Sequence, residues 1–149
     1  PPLINARSET AAEKPAFRDA FRRRRCIVPA TGFYEWEKLG TRKVPRYFHA
    51  GGGPLGFAGG WDEWNGTAGV AVLTVPANEL VGRIHDRMPA ILSSDNYDLW
   101  LDPSFRNPAT VSDLLMPFDA ALMRRYPVST RVNQVQNDDV DCAKPLAGC

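Results

Sequence analysis

No apolar run in this sequence approaches the ~20 residues that a membrane-spanning helix needs. No basic, apolar, small-residue secretory signal opens it either. Cysteine is scarce: Cys26, Cys142 and Cys149 are odd in number, so they do not form a complete disulfide framework, and a reducing cytoplasm fits them best. Histidine is scarcer still, with only His49 and His85. There is no C-x-x-C pair and the two histidines stand far apart, so zinc is not expected and no cofactor is implied. Walker and G-x-G-x-x-G loops are missing too. "AGGGP" (Ala50 to Pro54) lies between two strand-like runs and reads as a hairpin turn, not as a phosphate cradle. Charge of one sign is also lacking: the net charge of +1 argues against bulk affinity for polyanions.

What is present suits one globular domain. A chain of 149 residues with 44% apolar and 23% charged residues can bury roughly 70% of its unfolded surface. Its opening is locally basic: residues 1–25 carry seven basic side chains (Arg7, Lys14, Arg18 and Arg22 to Arg25) against Glu9, Glu13 and Asp19. That excess suits either a phosphate-facing surface or an ordinary solvated helix face. "SETAAEKPAFRDAFRRRR" predicts a short turn and then a helix starting near Pro15, with Ser8 or Thr10 as cap and the arginine run in the last turn. "CIVPATGFYEWEK", "PRYFHA", "LGFAGGWDEW", "VAVLTVPAN" and "YPVSTRVNQV" predict strands, with Gly32 turning or bulging the first. "SSDNYDLWL" predicts a helix capped by Ser93 or Ser94 with Trp100 and Leu101 inward, and "VSDLLM" a second short helix before Pro117. Without a regular βαβ alternation, the expected class is α+β with a mixed, largely antiparallel, barrel-like sheet core and a few short helices. The domain is expected over residues 1–136, with residues 137–149 a polar, loosely held tail.

Two residues stand out chemically. Glu35 lies among aromatics in "GFYEW". Burial there disfavours its charged form and suits a general acid/base near neutral pH. Alternation puts it on the face of Phe33, opposite Tyr34 and Trp36, and a solvent-facing strand glutamate is the competing reading. His85 in "IHDRMP" is either a proton carrier or a structural hydrogen-bonding group beside Asp86, the expected anchor of its loop. Asn5 and Arg7, two apart in an extended segment, face the same way and suit a phosphate or sugar, or an ordinary surface. Cys26 begins an apolar run, where a core thiol is more often found than a nucleophile paired with His85.

Six ordered segments go further. "INARSET" (Ile4 to Thr10), "RRCIVPATGFYEW" (Arg24 to Trp36), "GFAGGWDEW" (Gly56 to Trp64), "LTVPAN" (Leu73 to Asn78), "IHDRMPAIL" (Ile84 to Leu92) and "YPVSTRVN" (Tyr126 to Asn133) resemble the SRAP family of abasic-site processing proteins. The resemblance implies the SRAP fold and a protein that binds single-stranded DNA at abasic sites, monomeric, cytoplasmic and apart from any membrane. It implies a covalent thiazolidine crosslink made by an N-terminal cysteine, with lyase- or autopeptidase-like activity. In that reading Asn5 positions the N-terminus or the deoxyribose, Glu35 shuttles protons, and His85 protonates or orients the sugar hydroxyl. Arg7 and Arg87 hold phosphates, and Thr74 lines the pocket. The nucleophile is expected several dozen residues ahead of "INAR", whereas this chain opens at Pro1. A non-catalytic single-strand DNA-binding module and a thiol autopeptidase are the alternatives.

Overall fold

The computed structural model describes residues 3–147, so Cys149 lies outside the described residues. Among the described residues nine strands form two sheets: β1 (Asn5–Arg7), β2 (Arg25–Ala30), β3 (Phe33–Leu39), β4 (Arg42–His49), β5 (Leu55–Trp64), β6 (Thr67–Pro76), β7 (Arg87–Pro89), β8 (Ile91–Leu92) and β9 (Arg124–Pro127). Four helices are short: α1 (Ser8–Ala11), α2 (Arg18–Arg23), α3 (Tyr97–Leu101) and α4 (Pro108–Ser112). The large sheet runs β1-β6-β5-β2, and the small one runs β3-β4-β9. Among the described residues only β1 and β6 pair in parallel, so the mixed, largely antiparallel α+β class is what the chain adopts.

The β5–β6 hairpin organises the large sheet. Asn65 and Gly66 both take positive φ at its tip, the left-handed conformation that a two-residue hairpin turn demands. The two strands pair from Gly59–Val72 to Trp64–Thr67 and then part. "RMPAIL" fills the fork: β7 pairs with β6 from Thr74 onward, and β8 pairs with β5 at Gly56 and Phe57. Ala90 bridges both sides, accepting from Ala58 N–H and donating to the Leu73 carbonyl, each at 2.8 Å. This inserted segment therefore sets where His85 and Arg87 stand.

Apolar alternation sends Ala6, Leu73, Val75 and Met88 into one core with Phe48, Phe57, Trp100 and Val81. Phe33 crosses between the sheets, stacked on Phe48 at 5.2 Å and edge-on to Phe57 at 6.1 Å. The glycine-rich stretch after β4 is a link between sheets and not a hairpin turn, because β4 and β5 belong to different sheets. Helix capping also departs from expectation. Arg7 is the N-cap of α1 and Ser8 is buried; neither Ser8 nor Thr10 caps it. Of the "SSDNYDLWL" helix, Trp100 is buried but Leu101 is exposed, and Ser93 supplies no side-chain cap. The next helix starts earlier than "VSDLLM", because the Asn107 side chain caps it and Pro108 suits its first position. "YPVSTRVNQV" stays extended only to Pro127, after which the Ser129 hydroxyl caps a 3-10 turn.

Of the expected polar tail, residues 137–147 are docked, not loose. Cys142 is buried, Tyr126 donates to the Ala143 carbonyl at 2.8 Å, and Leu146 N–H donates to the Pro127 carbonyl at 3.0 Å. This segment caps the outer face of the small sheet, where Tyr34, Tyr47, His49 and Tyr126 pack together.

Candidate functional site

Where β3 meets the loop before β7, Glu35 and His85 come together, with Glu35 Oε1 4.0 Å from His85 Nδ1. Glu35 shares its face of β3 with the core residue Phe33, as alternation predicts, and its side chain is 22% exposed. Its cross-strand neighbour is Arg46, the obvious counter-ion. Arg46 instead donates from Nε to Glu37 Oε2 at 2.7 Å, so its charge is committed one pleat away. Glu35 is thus left half-buried. Burial pushes its carboxyl above the ordinary value of 4.5, with the His85 imidazole pulling down and the Asp86 carboxylate pushing up.

His85 is 48% exposed, and the backbone of Arg87 governs its ring. Arg87 N–H donates to His85 Nδ1 at 3.1 Å. A backbone N–H can only donate, so the neutral ring carries its proton on Nε2. The Arg87 carbonyl is also 3.1 Å from Nδ1, ready to accept once the ring is protonated. Asp86 contributes differently from expectation. Its side chain is 82% exposed, 3.5 Å from His85 Nδ1, and its carbonyl rather than its carboxylate anchors the loop, accepting from Ala77 N–H at 2.9 Å.

Asn5, Arg7, Thr74 and Arg87 share the face of the large sheet opposite the core. Ala6 pairs with Leu73 and Met88 with Val75, all four buried, so their neighbours in sequence face the other way. Asn5 and Arg7 are exposed, and Arg7 stands beside Thr74 in register. Arg87 is different: its side chain is only 14% exposed. It donates to Glu9 Oε1 at 2.6 Å and Oε2 at 2.9 Å, to the Thr74 carbonyl at 2.6 Å and to Thr74 Oγ1 at 3.1 Å. The guanidinium holds the Glu9 carboxyl down at about 2. Glu9 is the residue that sequence reading missed; the acid two positions after Arg7 gave a signal only as a helix-start residue.

The arginine run does not act as one surface. Arg22 and Arg23 are exposed, but Arg24 pairs with Asp62 at 3.1 Å and Arg25 is buried. Burial pushes the Cys26 thiol up, away from thiolate chemistry. Among the described residues no group of three or more His, Cys, Asp or Glu is placed to hold a metal ion, and no helix is long and apolar enough to cross a membrane.

Known proteins resemble this chain in sequence and in fold. The abasic site processing protein YoqW of Bacillus subtilis (strain 168) is 41% identical over 143 residues, covering 91% of this chain and 64% of YoqW. HMCES of Gallus gallus, also named an abasic site processing protein, is 32% identical over 169 residues, covering 95% of this chain and 50% of HMCES. A crystal structure of a protein from Bacteroides thetaiotaomicron matches with a TM-score of 0.87 at 33% identity, covering 97% of this chain and 66% of that one. The chain thus spans less than two thirds of the length of each of these relatives. The family described as SOS response associated peptidase (SRAP) matches residues 1–135, and the chain belongs to it.

Proposed function

We propose that this chain supplies the acid/base and DNA-holding groups of a protein that processes abasic sites in single-stranded DNA through a covalent thiazolidine crosslink. The observation that carries the reading is the Glu35–His85 pair, 4.0 Å apart beside a face bearing Asn5, Arg7 and Thr74. The names of YoqW and HMCES support the substrate class.

The chemistry asks for two proton carriers near neutral pH. Opening the deoxyribose ring moves a proton from the C1 hydroxyl and delivers one to the ring oxygen. An N-terminal cysteine amine, with a pKa of roughly 7.7–8.0, then adds to the aldehyde and expels one water to form an imine. Its thiol adds to the imine carbon and closes the thiazolidine. Glu35, raised by burial, takes and returns protons in these steps. His85 donates from Nε2 to the sugar oxygen, with Nδ1 held by Arg87 N–H. Asn5 orients the sugar or the N-terminal amine, Arg7 and Arg87 hold flanking phosphates, and Thr74 lines the pocket.

The test mixes a single-stranded oligonucleotide containing an abasic site with protein bearing its native N-terminus. A heat- and detergent-stable adduct is expected; its absence overturns the reading. A second reading, a non-catalytic single-strand binder, draws on the exposed Arg7, Trp36 and Trp64, which suit phosphates and stacked bases. It predicts binding that ignores the abasic site and is indifferent to Glu35→Ala.

A further inference from the structure

Arg87 has five N–H donors, and the neighbouring protein consumes four of them. Nε and one hydrogen of Nη2 point at Thr74, to Oγ1 at 3.3 Å and to the carbonyl at 2.6 Å. The other Nη2 hydrogen and one of Nη1 meet the two oxygens of Glu9, at 2.9 and 2.6 Å. Both edges of the planar fork that could grip a phosphate bidentately are therefore occupied, and one Nη1 hydrogen remains. The Glu9 carboxylate also cancels the charge a phosphate would seek.

We infer that Glu9 is an internal competitor for the phosphate position at Arg87, so that an anion gains a two-bond grip there only by displacing the Glu9 carboxylate. The inference rests on the DNA-binding reading above, and it changes the roles of the two arginines. Arg7, exposed and in no ion pair among the described residues, supplies the open phosphate contact. Arg87 supplies a gated one. Glu9 can move without unfolding a core element, since its side chain is 47% exposed and it stands on α1, a helix of four residues. Thr74 stays behind as a neutral partner and keeps the guanidinium oriented when Glu9 leaves.

The experiment measures binding of a fluorescent single-stranded oligonucleotide across a salt series, for the wild type, Glu9→Gln and Glu9→Gln/Arg87→Gln. Glu9→Gln is expected to tighten binding roughly threefold or more at low salt and to steepen the salt slope by roughly 0.7, the value for one phosphate on a single strand. Both gains are expected to vanish in the double variant. Unchanged affinity and slope in a folded Glu9→Gln overturn the inference. If Glu9→Gln does not fold, Glu9→Asp, too short to span both nitrogens, is expected to give a smaller gain in the same direction, and no gain overturns it. A parallel titration with inorganic phosphate follows the Arg87 Nε NMR signal. A phosphate-induced shift larger in Glu9→Gln than in the wild type supports the competitor role even if no protein binds the oligonucleotide, which would sink the DNA reading alone. Equal shifts, or none, overturn the inference.

Discussion

Glu35 stands between opposing influences. Burial raises its carboxyl, and the imidazole of His85 draws it back. A carboxyl raised on folding favours the folded state most at low pH, and that contribution is lost as pH rises from 4.5 through the raised value. Glu35→Gln removes the ionisation. Relative to wild type it is expected to gain stability progressively above pH 4.5, measured by urea denaturation across a pH series. The same substitution is expected to slow crosslinking by roughly 10²–10⁴-fold, the usual contribution of a general acid/base. A variant that loses stability toward neutral pH and crosslinks normally would contradict both halves. Glu9 shows the opposite sign. Its carboxyl is held at about 2 by Arg87, so its contribution is present above the ordinary value of 4.5 and lost as pH falls toward 2. A Glu9→Gln variant should therefore lack the part of the acid denaturation that lies between those values.

At the scale of elements, two residues set the frame around the site. Gly32 joins β2 of the large sheet to β3 of the small one. A Cβ there would lie 2.2 Å from the Phe48 carbonyl and 2.5 Å from Tyr47 Cζ. The carbonyl belongs to the backbone of β4 and cannot swing aside, so Gly32→Ala is expected to cost about 1–3 kcal/mol in overpacking. It is also expected to displace β3, and Glu35 with it; a normal crosslinking rate in that variant would show that β3 tolerates the shift. Arg25 ties helix ends together. It donates to the carbonyls of Phe21 and Arg22 at the end of α2, and to Trp100, Asp102 and Phe105 at and beyond the end of α3. Its charge meets the negative ends of two short helices, and its plane lies over the Trp100 ring at 5.4 Å. Arg25→Met removes the guanidinium from the buried Phe21 and Trp100 carbonyls and three part-buried ones, and is expected to cost on the order of 3 kcal/mol, read as a lowered urea midpoint. A loss under 1 kcal/mol would mean that water replaces the guanidinium.

At the scale of the whole molecule, each sheet buries one face in the common core, and the small sheet needs a second cover. The segment after β9 provides it. Trp36 Nε1 donates to Asn133 Oδ1 at 2.7 Å, and Pro145 bridges to Val128. Removing residues 137–149 is therefore expected to expose Tyr47 and Tyr126, lower the melting temperature, and raise binding of a hydrophobic dye. An unchanged melting temperature would return this segment to the status of a tail.

Much of this was legible in the amino-acid order. Alternation placed Glu35 on the face of Phe33, and the ordered motifs pointed to the SRAP family. These features depend on neighbours within a few residues, which the chain order specifies directly. The state of each charge was not legible. Arg25 and Arg22 are three residues apart and look alike in sequence, yet one is buried among carbonyls and the other is in solvent. Arg87 reads as a free phosphate ligand until the fork of β5 and β6 carries it to Thr74 and to Glu9, 78 positions away. Local pattern decided which segments form strands and which face they bury. Only the tertiary structure decided which charged groups remain free, because pairing and desolvation depend on distances in space between parts of the chain that the sequence keeps apart.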